Sequence, residues 1–272
     1  MRAMTQRWRT EEWRLRGRQT FEEIPELYDR ARPTYPPALF QDLEELGGLA
    51  RGSRVLEIGC GTGKATVSLA ERGYRITCVE LGPALAAVGR RNLEPFPNVE
   101  ILVADFDHWS PDADGGFDAI VAFSAFHWLD PATAYERCAA LLEPAGVLAA
   151  GGARHVLPSD GDKLFLDIQD DYRAFAPEWD DGRPPPTPDE VPDWADEITA
   201  SGDFGRVDVR RYLWEIVYGP QEYIHVIDTY SAHRAMPQAT RDRLYGAIRR
   251  RIEKQGSIRK TYLAILHVAH RA

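Results

Sequence analysis

Lysine is almost absent from this chain. Of the 33 basic residues only Lys64, Lys163, Lys254 and Lys260 are lysine, a bias read as genome composition, without functional weight. Long apolar runs are missing too. Although 44% of the residues are hydrophobic, no stretch approaches the roughly 18 uninterrupted apolar positions of a membrane span. Cysteine is scarce, with Cys60, Cys78 and Cys138 far apart. That spacing fits neither a disulfide framework nor a zinc site and points to a reducing compartment. The 7 histidines show no metal-ligand spacing, so no metal is expected. Low-complexity tracts and internal repeats are lacking. Residues 1–20 are rich in arginine but contain Glu11 and Glu12 and lead into no apolar run. They read as an N-terminal extension without the pattern of a secretory signal, and a cytoplasmic address is expected.

Acidic charge is plentiful but unevenly placed. The net charge is −9, and residues 155–205 hold 14 acids against Lys163, Arg173 and Arg183. That segment alone exceeds the net charge of the chain. An acidic surface repels phosphate backbones, so neither a nucleic-acid partner nor a membrane is expected.

From Arg54 onward, short apolar runs alternate with helical segments. The runs are Arg54–Gly59, Arg75–Glu80, Val99–Asp105, Phe117–Phe123 and Gly146–Ala150. Helices are expected over 62–72, after Pro83, and from Asp130-Pro131 to about Leu142. This alternation predicts an α/β fold, a doubly wound and mostly parallel sheet covered on both faces. After Gly152 the pattern stops. Residues 155–205 are acidic and interrupted by GRPPPTPDEVP, whose prolines preclude a continuous helix, so they read as an inserted cap. Two long strands, Arg206–Tyr218 and Ile258–His270, then flank helices that include Ala239–Gln255. The expected division is a core over 21–154, a cap over 155–205 and a closing unit over 206–272.

The chemistry centres on Val55-Leu56-Glu57-Ile58-Gly59-Cys60-Gly61-Thr62-Gly63-Lys64. A strand enters three alternate glycines, which let backbone turn tightly and approach a ligand closely. The crevice lies at the carboxyl ends of the strands, where open α/β sheets bind ligands. A dinucleotide fingerprint would put a third glycine at position 64, where Lys64 stands. The spacing with Glu57 ahead of it favours a cofactor without pyrophosphate, whose cationic amino acid end Glu57 can serve. The methionine end of S-adenosylmethionine (SAM) is such a group. Glu80 falls where a carboxylate would accept both ribose hydroxyls. Asp105 falls where one would accept from an adenine amino group, with Phe106 packing on the ring.

On these residues the stretch from 55 to about 150 resembles the class I SAM-dependent methyltransferases, particularly their type 11 small-molecule branch. VLEIGCGTGK, VELG, VADFDHW and LLEPAGVLA are similar to successive family segments. Upstream, Tyr28-Asp29-Arg30-Ala31-Arg32-Pro33-Thr34-Tyr35-Pro36 is similar to an N-terminal YDxxRPxYP signature. FSAFHWLDP resembles the same group's sequence after the fourth strand. The resemblance implies a Rossmann-like sheet with an antiparallel last strand and a leading helix closing over the cofactor. It implies SAM as methyl donor, with S-adenosylhomocysteine as product and a small-molecule O, N or C nucleophile as acceptor. The cofactor-binding residues it implies are Tyr28, Arg32, Glu57, Gly59, Cys60, Gly61, Gly63, Glu80, Leu81, Asp105, Phe106, Phe123 and Ser124.

Missing motifs narrow the acceptor further. There is no Asp/Asn-Pro-Pro-aromatic tetrad for base amines, no Pro-Cys nucleophile, and no carboxylate at Phe123-Ser124-Ala125 for a magnesium-dependent type. The acidic cap hints at a neutral or cationic acceptor. His127 is the candidate catalytic residue, either as a base for the attacking group or as a pocket-lining ring between Phe126 and Trp128. Two other readings stay open: an NAD(P)-linked oxidoreductase, since Glu80 suits an NAD ribose, and a SAM-binding protein without catalysis.

Overall fold

The computed structural model describes residues 21–111, 116–179 and 182–272; the expected extension over 1–20 lies outside them. A seven-stranded sheet runs in the order β3-β2-β1-β4-β5-β7-β6. The strands are β1 (Arg54–Ile58), β2 (Arg75–Glu80), β3 (Val99–Val103), β4 (Phe117–Phe123), β5 (Leu142–Val156), β6 (Phe204–Tyr218) and β7 (Ile258–Arg271). The first five pair in parallel, and β7 inserts antiparallel between β5 and β6. This is the doubly wound, Rossmann-like α/β sheet with an antiparallel last strand that the alternation and the resemblance predict.

Strand periodicity explains why both faces are covered. In β1, Val55 packs into the core under one face, and Leu56 and Ile58 into the core under the other. A side chain turns to the opposite face at each step along a strand. Helix α1 (Pro25–Ala31) precedes α2 (Pro37–Gly47), which fully buries Leu39 and Leu43 and all but 1% of Phe40. These one-sided positions dock α2 on the first face, each worth about 1.5–3 kcal/mol of burial.

Several boundaries differ from the sequence expectation, for tertiary reasons. The helix expected over 62–72 is α3 (Thr66–Glu71), preceded by turns through 61–65. The helix expected from Pro131 is α5 (Ala134–Leu141), while α4 (Pro83–Asn92) begins at its proline as expected. Asp105 does not close β3; it lies two residues past Val103, in the following loop. The largest difference is β5. It was expected over Gly146–Ala150 but runs from Leu142 to Val156, because β4 pairs with it at Phe117↔Leu142 and β7 from Val147↔His270 to Val156↔Thr261. The parallel partner β4 ends at Phe123, opposite Gly151. The β5–β7 ribbon therefore stands above the carboxyl edge of the parallel strands.

Within 155–205, α6 (Leu164–Phe175) buries Leu164, Phe165 and Ile168 in one cluster with Ile224, Ile227, Leu244 and Ile248. Those partners belong to α8 (Pro220–Asp228) and α10 (Gln238–Gln255). A second short helix, α7 (Ala195–Ala200), buries Ile198 against the other face of the sheet. His267 of β7 ties this region to the core. Its Nε2 accepts from the Trp194 backbone N–H at 2.9 Å, its Nδ1 lies 3.2 Å from the Ala150 carbonyl, and the two rings stack. No helix among the described residues is long and apolar enough to cross a membrane.

Candidate functional site

Glycine chemistry sets the floor of the site. Gly59 and Gly61 have φ of +67° and +57°, a region closed to most side chains. A Cβ on Gly59 would also lie 2.7 Å from the Ala125 Cβ. Glu80, 6% exposed, braces this loop: its two oxygens accept from the Gly61 and Gly82 N–H groups, each at 2.8 Å. Sequence reasoning gave Glu80 a ligand role only. The carboxylate has capacity for further donors, so it can hold the loop and still accept hydroxyls. Burial raises its pKa above the ordinary carboxylate value, partly opposed by the Gly82 and Gly61 bonds.

Two connected cavities open over this floor. The smaller, about 110 Å³, is lined by Glu80, Leu81, Asp105, Phe106, Trp128 and Leu129 among others. The larger, about 290 Å³, is lined by Glu57, Cys60, Thr62, Lys64, Arg154, His155, Tyr230 and Tyr262 among others. Tyr28, Gly59, Gly61, Phe123 and Ser124 line both, so the two form one crevice. Of the residues the sequence singled out for the cofactor, all but Gly63 line this crevice. Gly63, with φ +87°, lies beneath it against Leu93.

The larger cavity is electrostatically mixed. Glu57 sits inside β1, 1% exposed, and burial pushes its carboxyl up to about 7. The Thr62 hydroxyl and His155 Nε2 are buried and make no hydrogen bond. Orphaned polar atoms at a cavity wall are where a ligand's own groups would fit. Burial lowers the pKa of Lys64, partly countered by Asp29, and that of Arg154. It also holds His155 well below its ordinary value, with Lys260 adding to the effect. Four basic residues on the wall (Arg32, Lys64, Arg154 and His155), against one carboxylate, give this cavity a character that the acidic cap did not suggest.

Ser124 stands at the junction of the two cavities with φ +56°, the one non-glycine residue at positive φ among those described. Its Oγ lies 2.7 Å from the Tyr35 hydroxyl, and its N–H donates to the Gly151 carbonyl at 2.7 Å. Such backbone strain persists only where the surroundings over-determine it, often at functional sites.

The leading helix is strapped across the crevice by polar bonds. Glu22 accepts from the Ala84 and Leu85 N–H groups, and Glu26 takes a two-pronged bond from Arg91. Asp29 accepts from Asn92 at 3.0 Å. On the other side, Arg32 donates to the Thr229 hydroxyl at 2.7 Å and to its carbonyl at 2.9 Å. Arg32 thus joins the N-terminal segment to the loop before α9 (Ser231–Arg234).

His127 lies on the short turn Phe126–Trp128, its ring against Trp128, and lines neither cavity. Crowding by its neighbours, then Arg154, lowers its pKa, although the residue is exposed to solvent. Sequence reasoning missed Tyr35, Lys64, Arg154, His155, Tyr230 and Tyr262. Tyr35 and Lys64 carried a signal, since they stand in the quoted N-terminal and glycine-loop motifs. The others become neighbours through the β5–β7 pairing and the docking of Arg32. Among the described residues, no group of three potential metal ligands comes together.

The sheet order, the antiparallel β7 and a glycine-floored crevice with strand-end acids define a Rossmann-like cofactor-binding protein. Residues 56–150 match the family model described as a methyltransferase domain. The chain is similar to an uncharacterized methyltransferase of Mycobacterium tuberculosis, 39% identical over 121 residues, 44% of this chain and 46% of that one. It spans about half the length of the curated relatives it matches. A candidate type II methyltransferase from Anaeromyxobacter dehalogenans shares the fold with a TM-score of 0.57 at 22% identity, over 88% of this chain and 97% of that one. So does Haemonchus contortus phosphoethanolamine N-methyltransferase 2, solved with phosphomonomethylethanolamine and S-adenosylhomocysteine. Its TM-score is 0.52 at 14% identity, over 93% of this chain and 59% of that one.

Proposed function

We propose that this chain transfers the methyl group of SAM to an O, N or C nucleophile of a small molecule, releasing S-adenosylhomocysteine. The observation that carries this reading is one crevice with Glu80 and Asp105 in its smaller cavity and Glu57 in its larger one. In this reading Glu80 accepts the ribose hydroxyls, Asp105 takes the adenine amino group, and Leu81 and Phe106 pack on the ring. The loop from Gly59 to Gly63 lets the methionine moiety pass close to backbone. Glu57 faces its ammonium group, while Tyr28 and Arg32 close over it and Arg32 attends its carboxylate. Phe123 and Ser124 border the transferring methyl.

SAM supplies an electrophilic methyl group, and the chain's work is to hold the acceptor in line with it. Proximity and orientation of that kind are worth several kcal/mol of barrier. The family match and the similarity to named methyltransferases support the reading. A cytoplasmic protein without nucleic-acid or membrane partners agrees with the charge and composition. Calorimetry should show SAM and S-adenosylhomocysteine binding, with NAD far weaker. Tight NAD binding without SAM binding would instead favour an oxidoreductase, and SAM binding without turnover across an acceptor panel a sensor.

A further inference from the structure

Lys260 is 1% exposed, and no carboxylate pairs with it among the described residues. Its ammonium nitrogen lies 5.6, 4.9 and 5.0 Å from the ring centres of Tyr223, Tyr230 and Tyr262. It donates to the Tyr230 hydroxyl at 2.6 Å. Burying an ammonium costs several kcal/mol, and aromatic faces return only about 0.5–2 kcal/mol. Neutrality is reached when the Lys260–Tyr230 pair gives up one proton, as ammonium with phenolate or as amine with phenol. In either form the pair is one proton short.

The vacancy faces the crevice. Tyr230 and Tyr262 line the larger cavity, and Lys260 stands behind them. The guanidinium of Arg32 lies 4.4 Å from the Tyr230 ring centre. Packed around the pair are His155 from β5, Tyr218 from β6, Tyr223 from α8, His233 from α9 and Tyr262 from β7. None of these is a carboxylate. Burial alone would raise the Tyr230 phenol, but Lys260 and Arg32 bring it below its ordinary value. Burial lowers Lys260, with Tyr230 opposing. Burial raises the Tyr218, Tyr223 and Tyr262 phenols, so Tyr230 is set apart within its own cluster.

We propose that Tyr230 is the catalytic proton acceptor, with Lys260 as its positioning residue, and that the acceptor is a small molecule whose nucleophile arrives protonated, as an O–H or N–H. This deepens the methyltransferase reading and rests on it for the donor. The acceptor's lone pair forms the bond to the methyl carbon while the carbon–sulfur bond breaks, its electrons going to sulfur. The acceptor's proton moves to the Tyr230 oxygen and is shared with Lys260. The positive charge lost at sulfur reappears on the pair, so the crevice keeps its net charge through the step. A carboxylate acceptor would need no such pair.

Two measurements on the full chain separate this proposal from the reading beneath it. In a spectroscopic pH titration, one phenolate should appear well below the ordinary tyrosine pKa of about 10. That signal should vanish in Tyr230→Phe and move upward in Lys260→Met, with SAM binding by calorimetry unchanged in both. A phenol and aliphatic-amine panel with labelled SAM should then find turnover that falls about 10²–10⁴-fold in Tyr230→Phe, with Lys260→Arg retaining more than Lys260→Met. An early phenolate that survives in Tyr230→Phe, or wild-type turnover in that variant, would overturn the proposal. So would turnover confined to carboxylic acids. Failure of SAM binding in the wild type would sink the methyltransferase reading instead and leave the titration result standing on its own.

Discussion

The two cavities of the crevice are built from opposite materials. The smaller takes its carboxylates and backbone from residues close in sequence, between Ile58 and Leu129. Its polar groups are acids at or just past short parallel strands, backed by glycine. The larger takes its far wall from Arg32, Arg154, His155, Tyr230 and Tyr262, which are distant in sequence and are phenols and bases. A fixed set of turns at the edge of a parallel sheet suits an invariant partner. A wall assembled from a long antiparallel ribbon and a docked helix can change without disturbing that edge. In the proposed reading, the smaller cavity with Glu57 and Arg32 serves the donor and the wall of Arg154, His155, Tyr230 and Tyr262 the acceptor, a separation that mutations can test.

The largest effect expected on the smaller cavity comes from Glu80→Ala. It removes an acceptor for ribose hydroxyls and also frees the Gly61 and Gly82 N–H groups. SAM affinity should fall by about 1–3 kcal/mol, read by calorimetry. Wild-type affinity in this variant would erase the proposed division of labour.

Glu57 offers a test of charge in the larger cavity. The folded chain holds its proton up to about pH 7, whereas an unfolded chain releases it near 4.5. A raised carboxyl thus makes the ligand-free protein lose stability as pH climbs through that window. A bound cation favours the ionised form, so SAM binding near pH 6–7 should release a fraction of a proton. Calorimetry in buffers of different ionisation enthalpy reads this release, and it should be absent in Glu57→Gln.

Ser124, at the boundary, should respond modestly. Ser124→Ala and Ser124→Gly both lose the bond to Tyr35, but only glycine accepts φ +56° without strain. The glycine variant should be more stable than the alanine variant by about 1 kcal/mol in denaturant melts. The smallest effect is expected at His127. It lines neither cavity, so His127→Ala should change kcat by less than about threefold, within the range of ordinary surface substitutions. A loss of 100-fold or more would move the proton acceptor from Tyr230 to the rim.

The sequence by itself determined the alternating elements, the glycine loop and the acids Glu57, Glu80 and Asp105. Each is a local property: side-chain period, a turn that tolerates no Cβ, and an acid within or near the end of an apolar strand. Local pattern misjudged lengths wherever a neighbour decided them. Gly146–Ala150 became a strand from Leu142 to Val156 because β4 pairs with it at Leu142 and β7 carries it on to Val156. The tertiary structure alone decided which bases and phenols meet. Tyr230 and Lys260 are 30 residues apart, Arg32 and Thr229 are 197 apart, and no periodicity links either pair. His155 faces Tyr262 across the ribbon because the β5–β7 register is fixed by burial. A slip of one residue would turn every side chain of the strand to the opposite face of the sheet.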